Sequence, residues 1–203
     1  MKILGLTGPS GAGKAIVGEA FMTHGVPVLD TDRVYHAWID QPSPCTEALA
    51  AAFGNSVLAQ NGSIDRKKLA AVVFADDEKR EERLATLNRI THAFVLKSCD
   101  KWLAMQEERG ARAAVIDAPL LIEANLHLRC DAVIAVLAPA SLRSARIQKR
   151  DGITKEAAEA RIRAQKPDAF YREHADFVFV NDGDLSAVTP FVDAVTQSIL
   201  MKK

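Results

Sequence analysis

A chain of 203 residues with 48% hydrophobic side chains buries a core without disulfide or metal staples, which excludes the stapled mini-protein classes. Lys and Arg number 26 and Asp and Glu number 26, so no net field draws the chain to nucleic acid or an anionic membrane, and any anion site is built locally. The three cysteines, Cys45, Cys99 and Cys130, have no C-x-x-C spacing for zinc or redox work and read as thiols of a reducing compartment.

Met1 to Thr7 is a short apolar run interrupted by Lys2, too brief for a signal peptide or a membrane span. The reading is a cytoplasmic monomer whose partners are small molecules, with no nucleic acid and no membrane. Ile3–Leu6 is a continuous apolar run ending in a turn cluster, the pattern of a fully buried strand. Similar runs recur at Val26–Leu29, Ala113–Ile116, Ala132–Val136 and Phe177–Val180, with helical periodicity between several of them. That alternation predicts a parallel five-stranded sheet with helices on both faces.

Between Asp30 and Gly110 only amphipathic stretches occur, Thr46–Phe53, Arg66–Phe74 and Glu78–Glu107, opened by the loop Gln41-Pro42-Ser43-Pro44. A second helical excursion, Ser141–Gln165, breaks near Asp151-Gly152 and carries Arg143, Arg146, Lys149, Arg150, Arg161 and Arg163. It is either a solvated charged face or a cationic lid over phosphates. The division is a core of residues 1–32, 111–140 and 175–203, a helical insertion of 33–110 and a lid of 141–174.

Directly after the first strand comes Gly8-Pro9-Ser10-Gly11-Ala12-Gly13-Lys14-Ala15, then a helical pattern through Ile16, Val17, Ala20 and Phe21. This is G-x-x-x-x-G-K in its required strand-to-helix context. Glycines let successive N–H groups turn inward onto phosphate oxygens, the helix start adds its positive end, and Lys14 adds a charge for the β and γ phosphates. The loop therefore predicts nucleoside triphosphate binding in a P-loop NTPase fold. Ala15 departs from the pattern, because the hydroxyl usual there coordinates Mg²⁺. A water held by Asp32 or Asp117 can fill that place, at a cost in metal affinity of about 10–100-fold.

The second strand ends in Asp30-Thr31-Asp32, at the strand edge where such sheets bind ligands. Either carboxylate can accept a proton from an attacking hydroxyl or orient it, and either can cap the helix starting near Arg33. Asp117 ends an apolar strand, placed for a metal-bound water or for a structural hydrogen bond to the phosphate loop.

Together Gly5-Leu6-Thr7-Gly8, the Lys14 loop and Asp30-Thr31-Asp32 resemble the opening of dephospho-coenzyme A kinases. Phe53-Gly54, Gly62-Ser63-Ile64-Asp65-Arg66, Val73-Phe74 and Ile90-Thr91-His92 resemble that family's insertion, and Asp117-Ala118-Pro119-Leu120-Leu121-Ile122-Glu123 resembles its Pro-Leu-Leu-x-Glu element. Arg146, Arg150, Gln165, Ala175-Asp176 and Asn181 continue the likeness through the lid and the last strand.

The resemblance implies transfer of the ATP γ-phosphate to the ribose 3′-hydroxyl of dephospho-coenzyme A, with ATP as co-substrate and Mg²⁺ as cofactor. It implies Asp32 as base or orienter, Lys14 and Arg146 on the transferred group, and Asn181 near adenine. The loop Gly8, Pro9, Ser10, Gly11, Ala12, Gly13, Lys14 and Ala15 would hold ATP, Asp32 and Asp117 the metal. Asp65, Arg66, His92, Pro119, Leu120 and Glu123, with Asp32, would hold the acceptor. Departures are Ala15, Ala93 where Pro is usual, and Tyr171 where a basic residue is common.

On their own residues, His92 is a core histidine or a ligand contact, Arg66 a solvated helix start or a substrate contact, and Trp38 and Trp102 core anchors. His24, His36, His127 and His174 show no metal-ligand spacing. Two rival functions fit the loop: another small-molecule kinase of the same architecture, acting on a nucleoside, nucleotide or sugar acid, and a nucleotide-binding protein without catalysis.

Overall fold

The computed structural model describes residues 1–201. Its strands are Lys2–Thr7 (β1), Val28–Asp30 (β2), Ala113–Asp117 (β3), Ala132–Leu137 (β4) and Phe177–Val180 (β5). The helices in chain order are Lys14–Thr23 (α1), Thr31–Ile39 (α2), Pro44–Phe53 (α3), Arg66–Val73 (α4), Arg80–Glu108 (α5), Ala140–Asp151 (α6), Lys155–Arg163 (α7), Asp168–His174 (α8) and Val188–Met201 (α9). Two compact units result: Met1–Asp30 with the chain from Leu103 onward, and Thr31–Trp102. Among the described residues no helix is long and apolar enough to cross a membrane.

In the first unit the strands form one parallel sheet in the order β2-β3-β1-β4-β5. β4 is buried at every position, which is why its sequence reads as an unbroken apolar run rather than an alternating one. Period-two alternation then sorts its side chains between the faces. Ile134 and Val136 join Leu4, Leu6, Val17, Phe21, Val192 and Val195 in one core, whereas Ala135 and Leu137 join Ile122 and Tyr171 in another.

β2 begins at Val28, two residues later than the apolar run suggests. Pro27 has no N–H for the ladder. Its carbonyl accepts from Val115 N at 2.8 Å, while Val26 N donates back to Phe21 O at 3.0 Å and closes the turn after α1.

The second unit packs α2, α3, α4 and most of α5 around Ile39, Cys45, Leu49, Leu69 and Val73, with Trp38, Leu87, Ile90 and Phe94 at the margin. Local chemistry sets its helix starts. Ser43 Oγ accepts from Thr46 N at 3.2 Å, Thr46 Oγ1 accepts from Ser43 N at 2.9 Å, and Pro44 takes the first helical position, a capping box that fixes α3. Asp65 caps α4 by accepting from Lys67 N and Lys68 N, both at 3.1 Å.

Candidate active site

β1 is flanked by β3 on one side and β4 on the other, so the chain changes direction across the sheet at β1, the place where open parallel sheets leave a crevice at their strand ends. The segment leaving that point is Gly8–Gly13, which leads into α1. Gly11 (φ 79°) and Gly13 (φ 98°) are left-handed, and both are pressed against neighbours. A Cβ on Gly11 would stand 2.8 Å from Arg143 O, and one on Gly13 2.2 Å from Asn181 Nδ2. Because Gly13 occupies the cap position, no side chain caps α1, and of its first amides Ile16 N turns back to Gly13 O at 3.1 Å.

Three arginines spaced i, i+3 and i+7 on α6 face this loop. Arg143 Nε donates to Ser10 O at 3.0 Å; Arg146 Nη1 donates to Gly11 O at 3.2 Å and Ala12 O at 3.3 Å; Arg150 Nη2 donates to Ser10 Oγ at 3.2 Å. Asn181, 1% exposed just past β5, donates Nδ2 to Ala12 O at 2.9 Å and accepts from Arg146 Nη2 at 3.1 Å. Gln165 Oε1 accepts both from Ser10 N at 3.2 Å and from Arg143 Nη2 at 2.6 Å. The outward carbonyls of the loop are thus occupied by cationic or amide donors.

Burial draws the Arg143 guanidinium below its ordinary pKa, with Asp168 and Tyr171 opposing that effect, while the hydrogen bond that Arg150 donates to Asp151 holds Arg150 above its own. Lys14 Nζ donates to Gly8 O at 3.2 Å, a neutral partner that an anionic phosphate oxygen outcompetes.

Two carboxylates lie side by side at the sheet's C-terminal edge, since Asp117 is in register with Asp30 on one neighbour and Leu6 on the other. Next to them Thr7 Oγ1 donates to Pro119 O at 3.3 Å. In the turn that follows, Leu121 and Ile122 are buried and hold it down, leaving Leu120 at 53% exposure and Glu123 exposed.

In the helical unit Asp32 is exposed in the first turn of α2, where a carboxylate suits the helix dipole. Arg66 Nη2 bonds both oxygens of Asp40, at 2.6 and 2.8 Å, and Asp65 is engaged as the α4 cap. His92, half-buried on α5, has its pKa lowered by burial, which favours the neutral imidazole.

A family model described as dephospho-CoA kinase matches residues 2–187 of this chain. The chain belongs to the dephospho-CoA kinase family. Members of this family transfer the γ-phosphate of ATP to the ribose 3′-hydroxyl of dephospho-CoA, giving CoA and ADP. A dephospho-CoA kinase of Bacillus licheniformis is 37% identical over 183 residues, covering 90% of this chain and 89% of that one. One of Shouchella clausii is 35% identical over 180 residues, 89% of each chain.

Among solved structures, TT1252 from Thermus thermophilus superposes with a TM-score of 0.82 at 31% identity, covering 98% of this chain and 97% of that one. The dephospho-CoA kinase from Campylobacter jejuni, at 24% identity and TM-score 0.69 over 98% of each chain, shares the fold. So does a shikimate kinase from Acinetobacter baumannii, at 16% identity and TM-score 0.51 over 100% of this chain and 95% of that one.

Against this family's pattern, the structure brings the loop, Arg146 and Asn181 into one bonded cluster. The polar ends of Asn181, a residue expected near adenine, are both spent on that cluster. Asp65 and Arg66 are bonded within their own unit. Sequence reasoning placed Arg143 only among the arginines of a solvated face or cationic lid, and did not foresee its bonds to Ser10 and Gln165.

Proposed function

We propose that this chain performs the dephospho-CoA kinase reaction with the triphosphate of ATP held on Gly8, Pro9, Ser10, Gly11, Ala12, Gly13, Lys14 and Ala15. The supporting observation is the uncapped start of α1 behind a loop whose carbonyls are tied outward to Arg143, Arg146 and Asn181, leaving amides for anions. Lys14 leaves Gly8 O for the phosphates, and Arg146 adds positive charge to the transferring group. Asp32 orients the 3′-hydroxyl and takes its proton as the oxygen attacks phosphorus in line with the departing ADP. Asp65, Arg66, His92, Pro119, Leu120 and Glu123 hold the acceptor, and α6 with α7 acts as the lid that keeps water out.

Among the described residues no cluster of three or more His, Cys, Asp or Glu side chains is built for a metal. Mg²⁺ asks for less, one or two carboxylates beside substrate phosphates and its own waters, and the hard oxygens at the sheet edge suit it. Asp117 and Asp32 would hold it, through water in the place of the hydroxyl that Ala15 lacks. There it would supply positive charge that neutralises the phosphates during transfer. The free thiols Cys45, Cys99 and Cys130 accord with a reducing cytoplasm.

ADP release across a panel of acceptors, including nucleosides, nucleotides, sugar acids and dephospho-CoA, tests this reading. Dephospho-CoA is the preferred acceptor, and Asp32→Ala lowers turnover about 10²–10⁴-fold with ATP binding retained. Full turnover in Asp32→Ala removes the base assignment, and preference for another acceptor removes the substrate. Ala15 favours one second reading, a nucleotide-binding protein without catalysis; ATP binding without turnover at saturating Mg²⁺ and acceptor would establish it.

A further inference from the structure

We infer that Arg143 is a positioning residue for nucleotide binding, one that fixes the Ser10–Gly11 peptide so that the Gly11 N–H faces the phosphates. This rests on the phosphate-binding role proposed for Gly8–Ala15.

Arg143 is 5% exposed, and a buried guanidinium is costly unless its donors are matched. Its Nε donates to Ser10 O at 3.0 Å, its Nη2 to Gln165 Oε1 at 2.6 Å, and its Nη1 lies 3.8 Å from Asp168 Oδ1. The same Gln165 oxygen accepts from Ser10 N at 3.2 Å. Arginine and glutamine thus grip both backbone polar groups of one loop residue.

Peptide planarity gives the grip its consequence. In a trans peptide the C=O and the next N–H point in opposite directions, and no cis bond occurs among the described residues. With Ser10 O turned toward Arg143, the Gly11 N–H is turned away from it. The Ala12 N–H is used internally, on Pro9 O at 3.2 Å. Ala12 O is held by Arg146 and Asn181, which by the same rule aims the Gly13 N–H.

The amides of Gly11 and Gly13 are thus each aimed by a clamp on the carbonyl before them, and Arg143 is the side chain that closes the first. A clamp is needed there because a glycine on the far side of the peptide makes rotation of that plane easy. Rotated, it would turn the Ser10 carbonyl lone pairs toward the anion and withdraw an N–H donor.

Calorimetric titration of ADP into the full chain, with Arg143→Ala, Arg143→Lys and Lys14→Ala compared to wild type, tests the assignment. Arg143→Ala raises the ADP Kd about 10–100-fold, the range for losing a charge-supported hydrogen bond. The KM for ATP rises with it, while the KM for dephospho-CoA stays within about twofold. Added millimolar guanidinium restores part of the ADP affinity in Arg143→Ala and none in Lys14→Ala. Arg143→Lys, which reaches Ser10 or Gln165 but not both, falls between.

Wild-type ADP affinity in Arg143→Ala, beside a loss in Lys14→Ala, overturns the inference. Unchanged affinity in Lys14→Ala instead overturns the phosphate-loop reading beneath it. Equal increases in both KM values, with a lowered melting point of the unliganded protein, show a general folding role and also overturn the inference. Should Arg143→Ala not fold, Arg143→Lys decides alone: intermediate affinity upholds the clamp and wild-type affinity refutes it.

Discussion

Gly13 and Gly18 stand five residues apart around the start of α1, yet an added methyl group meets opposite surroundings at the two positions. At Gly13 the backbone is left-handed and the Cβ would lie 2.2 Å from Asn181 Nδ2, whose amide is buried and bonded to Ala12 O. Gly13→Ala must strain the backbone and displace that amide, at a cost of at least about 2 kcal/mol. At Gly18, inside α1, the nearest atoms to a Cβ are Val28 Cγ1 at 3.7 Å and Leu6 Cδ2 at 3.8 Å, an ordinary packing distance. Gly18→Ala therefore gains about 0.5–1 kcal/mol by restricting the unfolded chain. Urea unfolding midpoints of the two variants move in opposite directions; a lower midpoint for Gly18→Ala would show that the space beside Val28 is closed.

Helix α6 ends on Asp151, a carboxylate at a C-terminus where the dipole opposes negative charge. It is stabilised by Arg150 Nε at 2.6 Å and by a short contact from Arg161 of α7, which together join the two helices and hold the Asp151 pKa down to about 2. A carboxylate lowered from the usual value of about 4 contributes stability above that pH and loses it on acidification toward about 2. Asp151→Asn thus lowers the thermal midpoint near neutrality, and the gap to wild type narrows as pH falls from about 4 toward about 2. Melts across that range check it, and a gap of constant size would mean that shape rather than charge makes the joint.

The same scale separates what the sequence disclosed from what it hid. All five strands were legible because buried parallel strands are continuous apolar runs, and α3, α4 and α5 because their apolar spacing is long enough to repeat. α8 was not, since its 7 residues are too few to show a period and Tyr171 alone is buried. In α9, Pro190 looks like a breaker, but it is the third residue, in a first turn whose N–H groups have no helical partner. The phosphate loop was legible because its pattern is local. The grip of Arg143 on Ser10 joins residues 133 positions apart, and no local pattern encodes it.

Across the whole chain, one ligand tests whether two cores make one cooperative structure. A nucleotide at a hundred times its Kd adds about 2.7 kcal/mol, which for a chain of this size raises the melting point about 5–11 °C. The loop assigned to nucleotide belongs to the sheet unit, whereas the only two tryptophans, Trp38 and Trp102, belong to the helical unit, so indole fluorescence reports on the unit without the loop. α5 runs unbroken for 29 residues and crosses the division after Trp102, so melting either unit breaks helix hydrogen bonds that the other shares. The fluorescence midpoint accordingly rises with ADP by the same amount as the far-UV circular dichroism midpoint. A fluorescence transition that stays in place while the dichroism transition moves would show that the helical unit unfolds by itself and that α5 does not couple the two.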